Sequence, residues 1–381
     1  MIYLDNAATT KVSDEVRAAM MPFLEEAYGN PSSIHQAGRK ARQAVDRARR
    51  HIASWLGCDA HDLVFTSGGT EANATALTGA YLARREAKRH IITSAVEHHA
   101  VLHTLEFLES VGAEVTVLPV DGDGCVRVED VLAALREDTG VVSIMAVNNE
   151  IGTIQPIDQV VQAVKSVDPS IVVHSDMVQA LPFIAHPLKR LPVDMATFSA
   201  HKIHGPKGMG LLYLRKDVPW RPMLYGGQQE GRRRGGTENV AGIVGFGTAV
   251  DLLSSDFERR VAHIGSLRSA FFDVLQRHCN AVLLSPADGA PTILSLAFPG
   301  VRNDTLLMRL DLAGVAASAG SACTAGSLEP SHVIAATGRT EYLKEAVRFS
   351  FSDDLSMDQV LEAAEIVCTT VKTITDSARF S

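Results

Sequence analysis

The sequence predicts an α/β protein in which a large domain on a mostly parallel seven-stranded sheet is followed by a smaller C-terminal α/β domain. Three observations carry that expectation. Between about Asp62 and Leu214, short β-branched runs alternate with helical patterns, the signature of βαβ units. After Asn239 a long helical stretch gives way to a second group of short apolar runs. The chain of 381 residues, 46% hydrophobic and 21% charged, is long enough to bury a large core in about two domains.

In chain order, strands are predicted at Leu63 to Thr66, His90 to Ser94, Glu114 to Leu118, Val141 to Val147, Ile171 to His174, Met195 to Phe198 and Gly210 to Leu214. Helices lie between them: Thr70 to Ala83 is rich in Ala and Leu, and Val101 to Val111 and Ile157 to Val167 repeat apolar residues at helical spacing. Two helices are expected up to His278, then strands near Val282 to Leu284, Ile293 to Ala297 and Val347 to Phe351. The expected division gives residues 14–253 to the large domain, and 1–13 with 254–381 to the small one.

Composition narrows the function classes. A net charge of −8 argues against a nucleic-acid or anionic-membrane surface, and Arg232-Arg233-Arg234 is the only basic cluster, so no direct nucleic-acid binding is expected. No apolar run reaches the roughly 18 residues that span a bilayer, and the start Met1-Ile2-Tyr3-Leu4-Asp5 has neither the basic segment nor the long apolar segment of a secretory leader, so the expectation is a cytoplasmic protein with no membrane contact. The cysteines at 58, 125, 279, 323 and 368 are odd in number and contain no Cys-x-x-Cys pair. Neither a disulfide framework nor a zinc site is suggested, and each is judged singly.

In open α/β sheets ligands bind beyond the carboxyl ends of strands, and the conspicuous polar residues fall there: Ser67 to Thr70, Glu97 to His99, Asn148 to Glu150, Asp176, and Ser199 to Lys202. Lys202, after the buried run Val193 to Phe198, is badly placed for a solvated charge. Burial or a neighbouring cation, from His201 or Lys207, would lower its pKa and make it a Schiff-base nucleophile. Ser67-Gly68-Gly69-Thr70-Glu71 joins a strand to a helix, so the backbone at Gly69 and Thr70 can approach an anion, although a plain helix cap explains the same residues. Asp176 closes another apolar run, and an acid there would hold a pyridine nitrogen protonated, as in pyridoxal phosphate enzymes; the alternative is again a helix cap. His98 suits a flat ring stacked on a cofactor and a proton carrier, whereas His99 and His103 lack a third ligand for a metal, and no metal is expected.

The small-residue segment Ser318 to Pro330 has Cys323 at its centre, where reactivity explains a cysteine better than packing does. Arg348 alternates with apolar neighbours along a strand and reads either as a solvated face residue or as a bidentate clamp for a carboxylate.

These residues sit in motifs that resemble the cysteine desulfurases, pyridoxal phosphate enzymes of the class V aminotransferase group and fold type I. The resemblance runs nearly the whole length: Tyr3-Leu4-Asp5-Asn6-Ala7-Ala8-Thr9-Thr10, Tyr28-Gly29-Asn30-Pro31-Ser32-Ser33, Thr66 to Glu71, Glu97-His98, Asn148-Asn149-Glu150-Ile151-Gly152, Ser199-Ala200-His201-Lys202, Arg234-Gly235-Gly236-Thr237-Glu238-Asn239 and Gly320-Ser321-Ala322-Cys323-Thr324. The last is similar to the NifS/IscS branch. The resemblance implies that Lys202 holds the cofactor covalently, that Asp176 pairs with the ring nitrogen and that His98 stacks on the ring. It implies Asn149 and Gln179 at the ring oxygen, and Thr70, Ser199 and His201 at the phosphate, with Thr237 arriving from a second subunit of a homodimer. Arg348, with Asn149 and Asn30, is implied at the substrate carboxylate, and Cys323 as the nucleophile.

The implied reaction turns L-cysteine into L-alanine and passes sulfur, as a Cys323 persulfide, to an acceptor such as an iron–sulfur scaffold or a thiolation enzyme. Competing readings are a selenocysteine lyase, another fold type I aminotransferase, and a non-catalytic sulfur-relay scaffold. One departure stands out: after Arg348 the family commonly reads Ser-Leu/Ile-Gly, whereas this chain has Phe349-Ser350-Phe351-Ser352-Asp353-Asp354. It bears on substrate access or partner docking.

Overall fold

A computed structural model describes residues 1–320 and 330–378; Cys323 lies outside the described residues. The strands are β1 (Ile2–Tyr3), β2 (Leu63–Thr66), β3 (His90–Ser94), β4 (Glu114–Leu118), β5 (Thr139–Ser143), β6 (Val172–Asp176), β7 (Met195–Ser199), β8 (Gly210–Leu214), β9 (Val282–Leu283), β10 (Ile293–Ala297), β11 (Val315–Ala316) and β12 (Ala346–Ser350). Seven of them form one sheet in the order β2-β8-β7-β6-β5-β3-β4. Only β8 runs against its neighbours β2 and β7; the other pairs are parallel.

Parallel strands must be buried on both faces, and the sequence supplies apolar residues for both. On one face the helix Gly69–Arg84 sets Ala76, Leu77 and Ala80 against Val64, Val172 and Leu212. On the other, Phe198, Ile144 and Val173 meet Ile52 and Phe246 from the helices Gln36–Leu56 and Val240–Ser255. These two helices lie close because Gly247 faces Ala48, where an added Cβ would come within 2.8 Å of the alanine methyl.

A second apolar core lies around the antiparallel sheet β12-β10-β9 and the parallel pair β1-β11. The helices Phe257–His278 and Met357–Ala378 cover it, with the Phe271 ring 4.9 Å from Phe349 and 5.5 Å from Phe351. Removing such a buried ring costs roughly 3 to 5 kcal/mol. The first residues of the chain therefore belong to this second core, while Ala7 to Thr10 cross back to the turn that carries Lys202.

Three local differences from the sequence expectations matter. The strand expected at Val141 to Val147 ends at Ser143. The Ile144 and Ala146 amides still donate to the carbonyls of His174 and Asp176, but Val147 turns away to bridge Ile154, and this turn presents Asn149. Asp176 is the last residue of β6, one place inside the sheet rather than beyond it. Cys279 and Cys368, remote in sequence, bring their sulfurs within 2.7 Å between the two covering helices. No single helix among the described residues is long and apolar enough to cross a membrane.

Candidate active site

The carboxyl ends of the central strands, the start of the helix Gly69–Arg84 and the N-terminal segment surround an open cavity. Gly69, Thr70, His98, Asn149, Asp176, Gln179, Ser199, His201, Lys202 and Arg348 all line it. Chain order scatters these residues; the parallel sheet brings most of them together because its parallel strands end on one side.

Lys202 ends the short turn Ala200–Lys202 directly after β7, and its Nζ donates to the carbonyls of Ala7 at 2.6 Å and Ala8 at 2.8 Å. The N-terminal segment is fastened there by its own bonds: the Thr10 amide and hydroxyl donate to the His201 carbonyl, and the His204 amide donates to Thr10 Oγ1. One expectation is corrected. Burial, aided by the charges of Lys202 and Lys207, pushes His201 down to about 4, so at neutral pH its ring carries no charge and cannot be the cation that depresses Lys202.

Asp176 is 6% exposed. Its Oδ2 accepts from Asn73 Nδ2 at 2.6 Å and its Oδ1 from the Val178 amide at 3.0 Å, so the carboxylate is fixed on the cavity wall. The helix-cap alternative fails, since no helix follows β6 directly and the chain instead enters irregular turns. His98 caps the helix His99–Ser110, with Nδ1 accepting the Ala100 amide at 3.0 Å. That bond requires the neutral ring with its proton on Nε2. Burial lowers the His98 pKa, the nearby Lys202 charge adds to the effect, and Asp176 opposes it.

Behind His98, Glu97 is fully buried. Its Oε1 accepts from Ser94 Oγ at 2.6 Å and the Met145 amide at 2.9 Å, and burial raises its carboxyl to about 8.

The anion cradle is visible in the backbone. Gly68 caps the helix Gly69–Arg84 without any side chain, so the first-turn N–H groups are left to a ligand. A Cβ on Gly69 would approach Val178 to 3.1 Å, so glycine keeps that wall of the cradle clear. A phosphate-accepting helix start at one end and a fixed buried carboxylate with a lysine at the other fit pyridoxal phosphate, which offers a phosphate, a basic ring nitrogen and an aldehyde.

Arg348 sits in the middle of β12 and is 2% exposed, which removes the solvated-face alternative. Nη1 donates to the Asn149 carbonyl and Nη2 pairs with Asp5 Oδ1, both at 2.8 Å. Its buried Nε has no protein partner among the described residues and so remains a donor for a ligand. The unusual residues after it also have partners: Asp353 pairs with Arg260 at 3.0 Å and with His204 Nε2 at 3.4 Å, while Ser352 Oγ lies 2.7 Å from the same His204 nitrogen.

Two expected residues do not reach this cavity within one chain. Asn30 and Thr237 share a separate surface groove with Tyr28. Other contributors escape sequence reasoning. Asn73 reads as part of an Ala-rich helix, although an asparagine one turn after Gly-Gly-Thr is a usable signal. Asp5, Ala7 and Ala8 lie in the motif Tyr3 to Thr10, but their residue types do not reveal that Asp5 meets Arg348 or that the Ala7 and Ala8 carbonyls meet Lys202. Among the described residues no group of three or more His, Cys, Asp or Glu is arranged to hold a metal ion.

Comparison with known proteins gives the family and the fold. The aminotransferase class V family profile matches residues 2–362. The chain is 42% identical over 379 residues to the cysteine desulfurase IscS of Dictyoglomus turgidum, covering 98% of this chain and 96% of that protein. A solved NifS-like protein superposes with a TM-score of 0.93 at 37% identity, covering 98% of this chain and 99% of that one. A second solved structure, SspA in complex with cysteine, gives 0.83 at 34% identity, over 92% of this chain and 99% of that one.

Proposed function

The chain belongs to the class V aminotransferase family, among its cysteine desulfurases, and from that premise we propose that it converts L-cysteine to L-alanine, with the sulfur leaving as a persulfide on Cys323. One observation carries the reading: Lys202, Asp176 and Arg348 stand on or just after three strands of two different sheets and line one cavity.

Pyridoxal phosphate is the cofactor of this reading: Lys202 would hold it covalently, Gly69, Thr70, Ser199 and His201 would hold its phosphate, Asp176 its ring nitrogen, and Asn149 and Gln179 its ring oxygen. When bound it supplies an electron sink for the pair left at the substrate Cα. The chain's own groups do the rest. Arg348 receives the substrate carboxylate through Nε and its neighbouring edge, already oriented by Asn149 and Asp5. Asn73 keeps Asp176 facing its partner. The Lys202 amine, on the turn directly after β7, would move the Cα proton. His98, neutral with a proton on Nε2, exchanges protons near the departing sulfur. The Cys323 thiolate attacks the substrate sulfur, the C–S bond breaks, and after reprotonation cysteine plus thiol have become alanine plus persulfide.

Thr237 and Asn30 complete the site in this reading only across a homodimer, Thr237 at the phosphate and Asn30 at the carboxylate. The exposed Tyr28, Ile34 and Tyr225 are apolar surface of the kind a second copy covers. The persulfide then passes to an acceptor protein such as an iron–sulfur scaffold or a thiolation enzyme.

The test is to incubate cofactor-loaded protein with L-cysteine and a thiol reductant, measuring alanine and sulfide together. Equal yields, abolished in Cys323→Ser, are expected. Keto acid without sulfide would move the protein to amino-group transfer.

A further inference from the structure

The two ends of the segment that carries Cys323 meet at one buried side chain. Gly320 and Ser331 flank that segment, and both lie against Glu150, itself 2% exposed. Glu150 Oε2 accepts from Ser331 Oγ at 2.5 Å. A Cβ on Gly320 would stand 2.7 Å from the same oxygen, and this glycine has a φ of +68°, a conformation side chains rarely adopt. Only a residue with no side chain brings the backbone this close to the carboxylate.

Glu150 is in turn rigidly placed. The amides of Glu150 and Ile151 both donate to Asn148 Oδ1 at 2.9 Å, and Asn148 Nδ2 donates to the Val96 carbonyl at 2.9 Å. Its neighbour Asn149 holds Arg348. The approach to Gly320 is registered on the same arginine, since Ser318 and Arg348 exchange backbone bonds in both directions. On the far side, Ser331 Oγ also caps the helix His332–Ala336, and His332 Nε2 pairs with the Glu97 carbonyl at 3.0 Å, directly before His98. Both ends of the segment are thus tied to residues that border the substrate.

We propose that Glu150 is a positioning residue for sulfur transfer: by bonding Ser331 and packing directly against Gly320 it sets the two ends from which Cys323 must reach the substrate sulfur. The proposal rests on the reading of Cys323 as nucleophile. It needs no contact between Glu150 and substrate, so its removal should spare cysteine binding and slow sulfur transfer.

The test compares cofactor-loaded wild type with Glu150→Ala, Glu150→Gln, Ser331→Ala and Cys323→Ser. Cysteine binding is read from the cofactor absorbance change, and sulfur loading of Cys323 from single-turnover mass spectrometry. Glu150→Ala should slow loading by about ten- to a hundred-fold, the scale of a small misplacement of reacting groups, with cysteine saturation little changed. Glu150→Gln keeps an acceptor for Ser331 and should recover most of the rate, and Ser331→Ala should show a smaller loss of the same kind. Hydrogen exchange of the amides at 316–320 and 331–336 should rise in Glu150→Ala.

Unchanged loading in Glu150→Ala, or equal losses in binding and loading, would overturn the proposal. If Glu150→Ala does not fold, Ser331→Ala decides by the same criteria. Alanine and sulfide output unaffected in Cys323→Ser would instead overturn the underlying reading of the nucleophile, whatever the Glu150 variants do.

Discussion

The side of the cavity proposed for the cofactor and the side proposed for the substrate are built in different ways. On the proposed cofactor side, β6 and β7 are neighbours in one sheet, so their ladder places the backbones of Asp176 and Ser199 together beside the helix start at Gly69, and Asn73 of that helix aims the Asp176 carboxylate. On the substrate side, Arg348 comes from another sheet, and its guanidinium is aimed by Asp5 and Asn149, at sequence separations of 343 and 199. Arg348 also lies in a ladder, between β12 and β10, but that ladder belongs to a second sheet, so its place relative to β6 and β7 depends on how the two sheets meet rather than on one shared set of backbone bonds. Changes on the cofactor side should therefore affect cofactor retention, and changes on the substrate side should affect cysteine affinity and sulfur transfer.

The largest expected effect is on the cofactor side. Lys202→Ala should lose the yellow absorbance of cofactor-reconstituted wild type and all turnover, and a colourless wild type after reconstitution would remove the contrast between the two sides outright. Next, Arg348→Ala should retain the cofactor colour while weakening cysteine saturation by about ten- to a hundred-fold, the loss of a charged hydrogen-bonding partner. Unchanged saturation would remove Arg348 from the carboxylate site.

Smaller effects should appear in stability against pH. Burial holds His174 at about 3 and His201 at about 4 in the folded protein, while the unfolded rings protonate near 6.5. Their contribution is complete above about pH 6.5 and is lost as pH falls towards the folded values. Glu97 has the opposite sign. Burial raises it to about 8, so below the unfolded value its contribution is complete, and it declines as pH rises between the two. Unfolding midpoints in urea should therefore fall on acidification below about pH 6.5, where two histidines outweigh one acid, and also fall from about pH 6.5 to 8.

Glu97→Gln should steepen the first decline and flatten the second. A variant that tracks wild type across both windows would contradict the burial argument.

The smallest effect concerns Asp353. Burial alone would lower His204, but the Asp353 hydrogen bond and charge raise it, so this pair stabilises below the unfolded histidine value and is lost as pH rises through the folded one. Asp353→Asn should lower the midpoint at about pH 6 by more than at about pH 8. Equal shifts at both would show that the pair acts through packing alone.

The same difference in construction explains what is legible in the sequence. β2, β3, β4, β8 and β10 begin and end where the apolar and β-branched runs do, because such runs report their own burial. β5 ends four residues before its apolar run does. Ile144, the residue at that break, is as apolar as the strand before it and cannot register a turn set by the bridge from Val147 to Ile154. Lys202, Asp176 and the Gly69 turn can be read as strand-end residues. The partners that aim them cannot: Asn73 sits mid-helix, the Ala7 and Ala8 carbonyls belong to residues whose side chains carry no chemistry, and Asp5 meets Arg348 only through tertiary folding. The neutrality of His201 is likewise hidden, because neighbouring lysines in sequence do not reveal burial. The Asp353 departure, unreadable as sequence, acquires a place as the partner of Arg260 and His204.

The most direct measurement is to reduce cofactor-loaded wild type with borohydride, digest it and locate the labelled lysine by mass spectrometry. A single pyridoxyl label on Lys202 is expected, and prior addition of L-cysteine should diminish it as the substrate amine displaces the lysine. A label on Lys207 or elsewhere, or none on Lys202, would contradict the claim that these strand ends form the catalytic cavity.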